Sequence, residues 1–199
     1  MKIIGITGRS GCGKSTVSAH YRKLGYLVAD ADLVAREIME PPSPCLKALA
    51  EEFGADVVQN GVLNRPLLAE RAFARKDGSQ RLVEITHPEI IRRLLAQAED
   101  AQRQGHSLFF VDGAVIVGAP FQAYCDGIVV VTAPHEACVQ RICNRDGLTV
   151  QQAERRLASQ LSEEQLLAAS MAQIVNDGSL EQLIGQVDEV LEQLKGGLA

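Results

Sequence analysis

The order of hydrophobic and polar positions predicts strands that alternate with amphipathic helices. Short apolar runs bounded by turn residues are typical of parallel strands that are covered on both faces. Such runs occur at residues 2–7, 26–29, 107–111, 128–131 and 173–175. Helical patterns at 16–24, 135–144 and 180–194 follow three of them. The alternation predicts an α/β fold with a five-stranded parallel sheet.

A long helical segment separates the second predicted strand from the third. It contains helical patterns at 33–39, 46–53, 67–73, 80–86 and 89–104, with His87-Pro88 between the last two. A simple crossover helix needs far fewer residues. We therefore predict a single domain made of a core (1–32, 107–144 and 163–199), a helical substrate-binding insertion (33–106) and a lid (145–162).

The phosphate loop, which we define as residues 8–16, joins the first strand to the first helix. Its sequence, GRSGCGKST, matches G-x-x-x-x-G-K-[ST] at every fixed position. Glycines let the backbone N–H groups turn toward an anion, and the helix dipole favours negative charge there. In such a loop Lys14 reaches the β- and γ-phosphate oxygens, and Ser15 offers a hydroxyl to Mg²⁺. The candidate phosphate ligands are Gly11, Cys12, Gly13, Lys14, Ser15 and Thr16.

A dinucleotide-binding fingerprint, G-x-G-x-x-G, is a poorer match to the same glycines. Thr16 takes the place of the third glycine, and Lys14 has no role in that motif.

Three acidic residues follow predicted strands, at the sheet edge where ligands collect in parallel sheets. Asp30 and Asp32 share a face if the segment is extended; if the chain turns at Ala31 they diverge, and one of them caps the next helix. One carboxylate can accept the proton of an attacking hydroxyl. Asp112 ends the third strand, a position typical of an acid that faces Mg²⁺.

Arginines concentrate around the predicted lid. The window 139–160 holds four basic residues (Arg141, Arg145, Arg155 and Arg156) and two acidic ones. A guanidinium pairs with two phosphate oxygens at once and stabilises a phosphoryl group in transfer. A lid that closes over the site would also exclude water. The alternative is that these arginines are simply solvated helix-surface residues.

Composition limits the class of protein. The chain has 199 residues, a formal net charge of −5 and five cysteines. The net charge disfavours general nucleic-acid binding, and no apolar run approaches 18 residues, so we expect a cytoplasmic protein that neither spans a membrane nor is secreted. We interpret the cysteines as reduced thiols. Cys12, at a helix N-terminus, is hypothesised to be a reactive thiol with a lowered pKa that nucleotide would shield.

Taken in order, these residues resemble the dephospho-CoA kinase family, which catalyses the last step of coenzyme A synthesis. The similarity covers nearly the whole chain. Its motifs here are the phosphate loop, Val28 to Arg36, Glu40-Pro41, Phe53-Gly54, Leu63-Asn64-Arg65, Phe73, His87-Pro88, Arg141 to Thr149, Ala153 to Gln160, and Val175 to Ser179.

The resemblance implies a three-layer P-loop kinase fold of the nucleoside-monophosphate-kinase-like group, and Mg²⁺-dependent transfer of a phosphoryl group from ATP to the ribose 3′-hydroxyl of dephospho-CoA. It implies a base at Asp32 and further catalytic groups at Lys14 and Arg145, with Arg156 also at ATP. The implied acceptor ligands are Asp32, Arg65, His87 and Asp112, and the implied Mg²⁺ ligands are Ser15 and Asp112.

The chain departs from the family pattern at several positions. Residues 114–118 read Ala-Val-Ile-Val-Gly where the family usually has Pro-Leu-Leu-Phe-Glu. Arg9 replaces a small residue, Cys12 a serine and Gln165 a common lysine. The alternatives are another small-molecule P-loop kinase, like shikimate or gluconate kinase, or a nucleotide-binding regulator that has lost catalysis. The oligomeric state is left open.

Overall fold

The computed structural model describes residues 1–196. Residues 197–199, the end of the predicted core segment, lie outside this range. The strands are β1 (Lys2–Thr7), β2 (Leu27–Asp30), β3 (Val58–Gln59), β4 (Val62–Leu63), β5 (Leu108–Asp112), β6 (Gly127–Thr132) and β7 (Ala172–Val175). The helices are α1 (Lys14–Lys23), α2 (Ala31–Glu37), α3 (Pro44–Phe53), α4 (Arg65–Ala74), α5 (Gly78–Arg103), α6 (His135–Asp146), α7 (Val150–Ala158), α8 (Glu163–Ala168) and α9 (Leu180–Gly196).

The predicted five-stranded parallel sheet is confirmed. Its order is β2-β5-β1-β6-β7, with β1 paired in parallel to both β5 and β6, and β6 to β7. The apolar runs that predicted the strands are buried, as in Ile4 and Phe110. Tyr21 of α1 stacks on Phe110 with ring centroids 4.3 Å apart. Burial of these side chains fixes α1, and with it the phosphate loop, to the sheet.

The chain divides into two compact units. The first comprises Met1–Ala29 and the chain from Ala101 onward, and it contains the core of the sheet. The second, Asp30–Asp100, is mainly helical and has its own core, which includes Leu46, Leu49 and Phe53. In the described part of the chain, no helix is long and apolar enough to cross a membrane.

One prediction in the second unit is wrong. The two helices predicted on either side of His87-Pro88 are one continuous helix, α5, with Pro88 inside it. An internal proline removes a helical hydrogen bond and costs about 3 kcal/mol. Ion pairs of Glu89 with Arg92 and Arg93 span the turn that follows, and Ile85 packs on the second core. Packing of an amphipathic helix therefore outweighs the local penalty of the proline.

A short hairpin, β3-β4, was not predicted. Its turn residues Asn60 and Gly61 have φ angles of 52° and 79°. Asn-Gly is the strongest sequence signal for a two-residue hairpin turn, because both positions need a positive φ. The signal was present in the sequence, but the flanking strands have only two residues each.

Three helices begin at a Ser or Thr that is followed three residues later by Gln. Thr149 with Gln152 and Ser162 with Gln165 form capping boxes at the starts of α7 and α8. The pair Ser179 and Gln182 makes the same two hydrogen bonds before α9. These residues satisfy N–H groups that the first helical turns leave without a partner.

Candidate active site

The phosphate loop needs glycine at positions where other elements approach its backbone. Gly11 and Gly13 have φ angles of 79° and 105°, which favour glycine. A Cβ at Gly11 would lie 2.6 Å from the carbonyl oxygen of Cys138, and one at Gly13 would lie 2.2 Å from Nδ2 of Asn176. The two glycines therefore allow the loop both its turn and its close packing against α6 and the segment after β7.

The Lys14 side chain folds back over the concave side of the loop. Its Nζ donates hydrogen bonds to the carbonyl oxygens of Gly8 at 2.7 Å and Arg9 at 3.2 Å. The first turn of α1 begins at Lys14 itself, so the ammonium and the positive end of the helix dipole act at the same place. An anion held by this loop would meet both.

Side chains from distant parts of the first unit hold the loop carbonyls. Arg141 of α6 donates from Nη1 to the Gly11 oxygen at 3.1 Å, and Asn176 donates from Nδ2 to the Cys12 oxygen at 2.8 Å. Asn176 is 9% exposed, and it follows β7 at the carboxyl edge of the sheet. These two hydrogen bonds fix the orientation of the peptide groups at Gly11 and Cys12. Asn176 was missed as a site residue, although its position after a strand is a recognisable signal.

An open cavity of about 610 Å³ adjoins the loop. Its volume falls in the range that holds small-molecule ligands. The polar side chains in its wall come from Arg141, Asn144 and Arg145 on α6 and from Asn176. The lining includes Gly11, Gly13, Ser15, Thr16 and Arg145 among the predicted site residues. Arg156 does not line it.

A second cavity, of about 450 Å³, opens beside Gly8 and Arg9. Its wall contains Ala114, Val115, Val117 and Gly118 from the segment after β5, and residues 159–161, Gln165 and Leu166 from the lid and α8. Arg9, the 114–118 segment and Gln165 are positions where the sequence departs from the family pattern. These departures therefore lie around one cavity.

The Asp112 carboxylate is held in place by α1. Its Oδ2 accepts a hydrogen bond from Ser18 Oγ at 2.7 Å, and Ser18 is buried one turn after Ser15. Within residues 1–196, no group of three or more His, Cys, Asp or Glu side chains could hold a metal ion. One carboxylate and one hydroxyl suit Mg²⁺, which takes most of its ligands from water and substrate phosphates.

The predicted lid arginines share one carboxylate. Asp146 accepts from Arg145 Nε at 2.7 Å and Nη2 at 2.8 Å, and from Arg156 Nη1 at 2.7 Å. The hydrogen bonds from Arg145 are the largest reason why the pKa of Asp146 lies below its usual value. Asp146 therefore remains charged and holds the two guanidinium groups side by side. Arg155, which the sequence grouped with them, is exposed on α7.

The hypothesis of a low-pKa thiol at Cys12 is wrong. Cys12 is 1% exposed, and burial raises the pKa of its thiol above the usual value. The positive charge of Lys14 acts in the opposite direction but is the smaller effect. The sequence position near a helix N-terminus gave no sign that the sulfur points into the core.

The remaining predicted residues lie in the second unit. Asp30 is the N-cap of α2 and accepts from the Leu33 N–H at 2.8 Å, so the chain turns at Ala31 and the two carboxylates do not share an extended face. Asp32 is exposed in the first turn of α2. Asp30 is therefore the capping residue, and Asp32 is the carboxylate that remains for chemistry.

Arg65 and His87 also belong to this unit. Arg65 donates from Nη2 to the Arg36 carbonyl oxygen at 3.4 Å and contacts the sulfur of Met39. His87 is half-buried on α5, and this burial lowers its pKa. His87 is therefore neutral near pH 7 and can donate or accept a hydrogen bond but does not carry charge.

A parallel sheet of this order, with a phosphate loop after its first strand and paired arginines before its last, defines a P-loop kinase. The family model for dephospho-CoA kinase matches residues 2–182. The chain is 40% identical to dephospho-CoA kinase of Anaeromyxobacter dehalogenans over 99% of this chain and 94% of that one. It belongs to the dephospho-CoA kinase family, whose members phosphorylate dephospho-CoA with ATP in the final step of coenzyme A biosynthesis.

Solved structures agree with this assignment. Dephospho-CoA kinase from Campylobacter jejuni superposes with a TM-score of 0.67 at 25% identity, covering 99% of this chain and 98% of that one. The protein TT1252 from Thermus thermophilus gives a TM-score of 0.80 at 35% identity, with 97% of both chains covered. The expected family, fold and kinase activity are confirmed.

Proposed function

We propose that the chain transfers the γ-phosphoryl group of ATP to the ribose 3′-hydroxyl of dephospho-CoA in the cytoplasm. The observation that carries this proposal is the Lys14 ammonium held on the phosphate loop, because other residues of that loop line the 610 Å³ cavity. In the proposed arrangement the loop N–H groups and Lys14 bind the β- and γ-phosphates. The adenosine part of ATP then enters the cavity between α6 and Asn176.

The metal proposed for this site is Mg²⁺. Ser15 and Asp112 are the residues that would hold it, and the Ser18 hydroxyl orients the Asp112 carboxylate toward it. When bound, Mg²⁺ would neutralise charge on the β- and γ-phosphoryl oxygens.

The lid arginines are proposed to stabilise the transferring group. Arg145 lines the donor cavity, and Asp146 keeps Arg156 beside it. Each guanidinium has N–H groups that Asp146 does not use, because Arg145 presents Nε and Nη2 and Arg156 presents Nη1 to the carboxylate. The remaining donors can bond phosphoryl oxygens, an effect worth about 10³ to 10⁵ in rate for an arginine at this position.

The residues proposed to act on the acceptor are Asp32, Arg65 and His87. Asp32 accepts the proton of the 3′-hydroxyl as its oxygen bonds to the γ-phosphorus and the bond to the bridging oxygen of ADP breaks. Arg65 would pair with a phosphate of the acceptor, and neutral His87 would form a hydrogen bond with it. The 450 Å³ cavity beside Gly8 lies next to the segment after Asp112, so we assign part of the acceptor to it.

The test is the assay of Asp32→Asn with ATP, Mg²⁺ and dephospho-CoA, with ADP and coenzyme A as measured products. We expect kcat to fall by about 10²- to 10⁴-fold, the range for loss of a general base, with the Kd of ATP within about twofold of the parent. Asp30→Asn is the matched control, because asparagine is an equally good helix N-cap. Near-normal kcat for Asp32→Asn would remove Asp32 as the base.

A further inference from the structure

The end of helix α7 is hydrogen-bonded to two consecutive residues of the phosphate loop. Gln160 accepts the Ser10 backbone N–H at Oε1 (2.9 Å) and donates from Nε2 to Ser10 Oγ (2.8 Å). Arg9 donates from Nη2 to the Leu157 carbonyl oxygen at 2.7 Å. Residues separated by 148 or 150 positions in the chain thus form three hydrogen bonds in one place.

These contacts are partly buried, and Arg9 and Gln160 also line the 450 Å³ cavity. Ser10 is 9% exposed and Leu157 is 1% exposed. Within the described residues, Nε of Arg9 is buried without a hydrogen-bond partner, which carries a cost of about 1–3 kcal/mol. The Leu157 carbonyl lies in the last turn of α7, where helical carbonyls lack a partner in the helix. This carbonyl also accepts the Gln160 backbone N–H at 3.2 Å, so Arg9 is its second donor, and the fold keeps the contact in spite of the buried Nε.

The position of Gln160 gives the contact a consequence for catalysis. Arg156 lies in the last turn of α7, and Gln160 follows two residues after the end of that helix at Ala158. α7 is a short rigid element, so fixing its end to Ser10 also fixes where Arg156 lies relative to the phosphate loop. The C-terminal end of the predicted lid is therefore attached to the phosphate loop by hydrogen bonds. The whole lid segment does not move independently of that loop.

We propose that Gln160 is a positioning residue that couples lid helix α7 to the phosphate loop and so aligns Arg156 with the transferring phosphoryl group. Arg9, a residue by which this chain departs from its family pattern, supports the same contact through Leu157. The inference rests on the proposed role of Arg156 at ATP. Gln160 acts through Arg156 and Ser10 and does not itself need to touch substrate.

A double-mutant cycle tests this coupling. We expect Gln160→Ala to lower kcat by about tenfold, the loss that misaligning but not removing a charged group gives, with the KM for ATP changed less than about threefold. In an Arg156→Ala background, Gln160→Ala should lower kcat by less than about twofold further, because the residue it aligns is gone. Gln151→Ala, at an exposed glutamine near the start of α7, is the control and should behave like the parent.

The outcomes distinguish the role of Arg156 at ATP from the alignment of Arg156 by Gln160. If Arg156→Ala lowers kcat while Gln160→Ala does not, or if the Gln160→Ala loss is equally large in both backgrounds, the coupling is refuted and the role of Arg156 stands. If Arg156→Ala has normal kcat, the proposed role of Arg156 fails first. Ser10→Ala removes only the hydroxyl bond and keeps the N–H bond, so it should give a smaller loss than Gln160→Ala and provides a second measurement if Gln160→Ala folds poorly.

Discussion

The buried side chain of Asn176 holds the phosphate loop by one hydrogen bond, and removing it should lower the Tm measurably. Its Nδ2 donates to the Cys12 carbonyl oxygen at 2.8 Å and lies where a Cβ on Gly13 would be. In Asn176→Ala the Cys12 carbonyl loses its donor inside the protein. In Asn176→Asp an oxygen replaces the nitrogen and faces the carbonyl oxygen.

The magnitude follows from burial. Asn176 is 9% exposed, so water replaces the lost bond poorly, and leaving the buried carbonyl unpaired costs about 2 kcal/mol. For a chain of this length that loss corresponds to a Tm decrease of about 4–8 °C. Asn176→Asp should be at least as destabilising, because it adds repulsion between two oxygens. We also expect the Kd of ATP to rise about tenfold. Without its donor the Cys12 carbonyl is free to rotate, so the phosphate loop is less well ordered for binding phosphate.

The assay is thermal unfolding of the parent, Asn176→Ala and Asn176→Asp, combined with calorimetric titration of ATP. Asp177→Asn is the control, because Asp177 is the exposed neighbour in the same segment and a surface change of this kind shifts stability by no more than about 0.5 kcal/mol. A Tm within 1 °C of the parent together with an unchanged Kd in Asn176→Ala would refute the reasoning.

Two further predictions concern Cys12 and Glu89. Cys12 should react with iodoacetamide at pH 7.5 at least about 100-fold more slowly in the folded than in the unfolded protein, and ATP should change this rate little. Peptide mass spectrometry measures the rate of labelling. Fast labelling of the folded protein that ATP blocks would contradict the burial of Cys12. The hydrogen bonds from Arg92 lower the pKa of Glu89 to about 2 from 4.5, so Glu89 stabilises the fold above about pH 4.5 and loses this effect as the pH falls toward 2. Glu89→Gln should lower the Tm at pH 7 and by about half as much or less at pH 3, because part of the effect persists until the pH falls to the folded pKa. Glu99→Gln on the same helix should leave the Tm unchanged. An equal Tm decrease at both pH values would show that the charge of Glu89 is not responsible.

Much of the first unit could be predicted because its signals are local. A phosphate loop is a run of adjacent residues whose backbone geometry depends on its own glycines, so Gly11, Gly13 and Lys14 were identified from sequence alone. The buried parallel strands were equally visible, because burial on both faces demands uninterrupted apolar runs. Capping boxes such as Thr149 with Gln152 are local signals of the same kind, since both partners lie within one turn.

Local signals failed where packing competes with them. Pro88 is a helix breaker by its own chemistry, yet α5 continues through it because the helix buries a face on the second core. The sequence left open whether Asp30 and Asp32 share a face or one of them caps the next helix, and the start of α2 at Ala31 makes Asp30 the cap. Cys12 was given a lowered pKa from its place near a helix end, but the direction of its side chain, into the core, reverses the shift.

The sequence by itself determined the class of fold, the phosphate loop and the set of charged residues available for phosphoryl transfer. Only the tertiary structure decided which side chains hold that loop, because Asn176 and Gln160 are separated from their loop partners by 164 and 150 residues. Contacts of that separation depend on the order of strands in the sheet, which places the segments after β1 and β7 at the same edge. The sequence around Asn176 and Gln160 contains no signal that predicts which loop residue each one contacts. Their roles therefore become visible only in the folded chain.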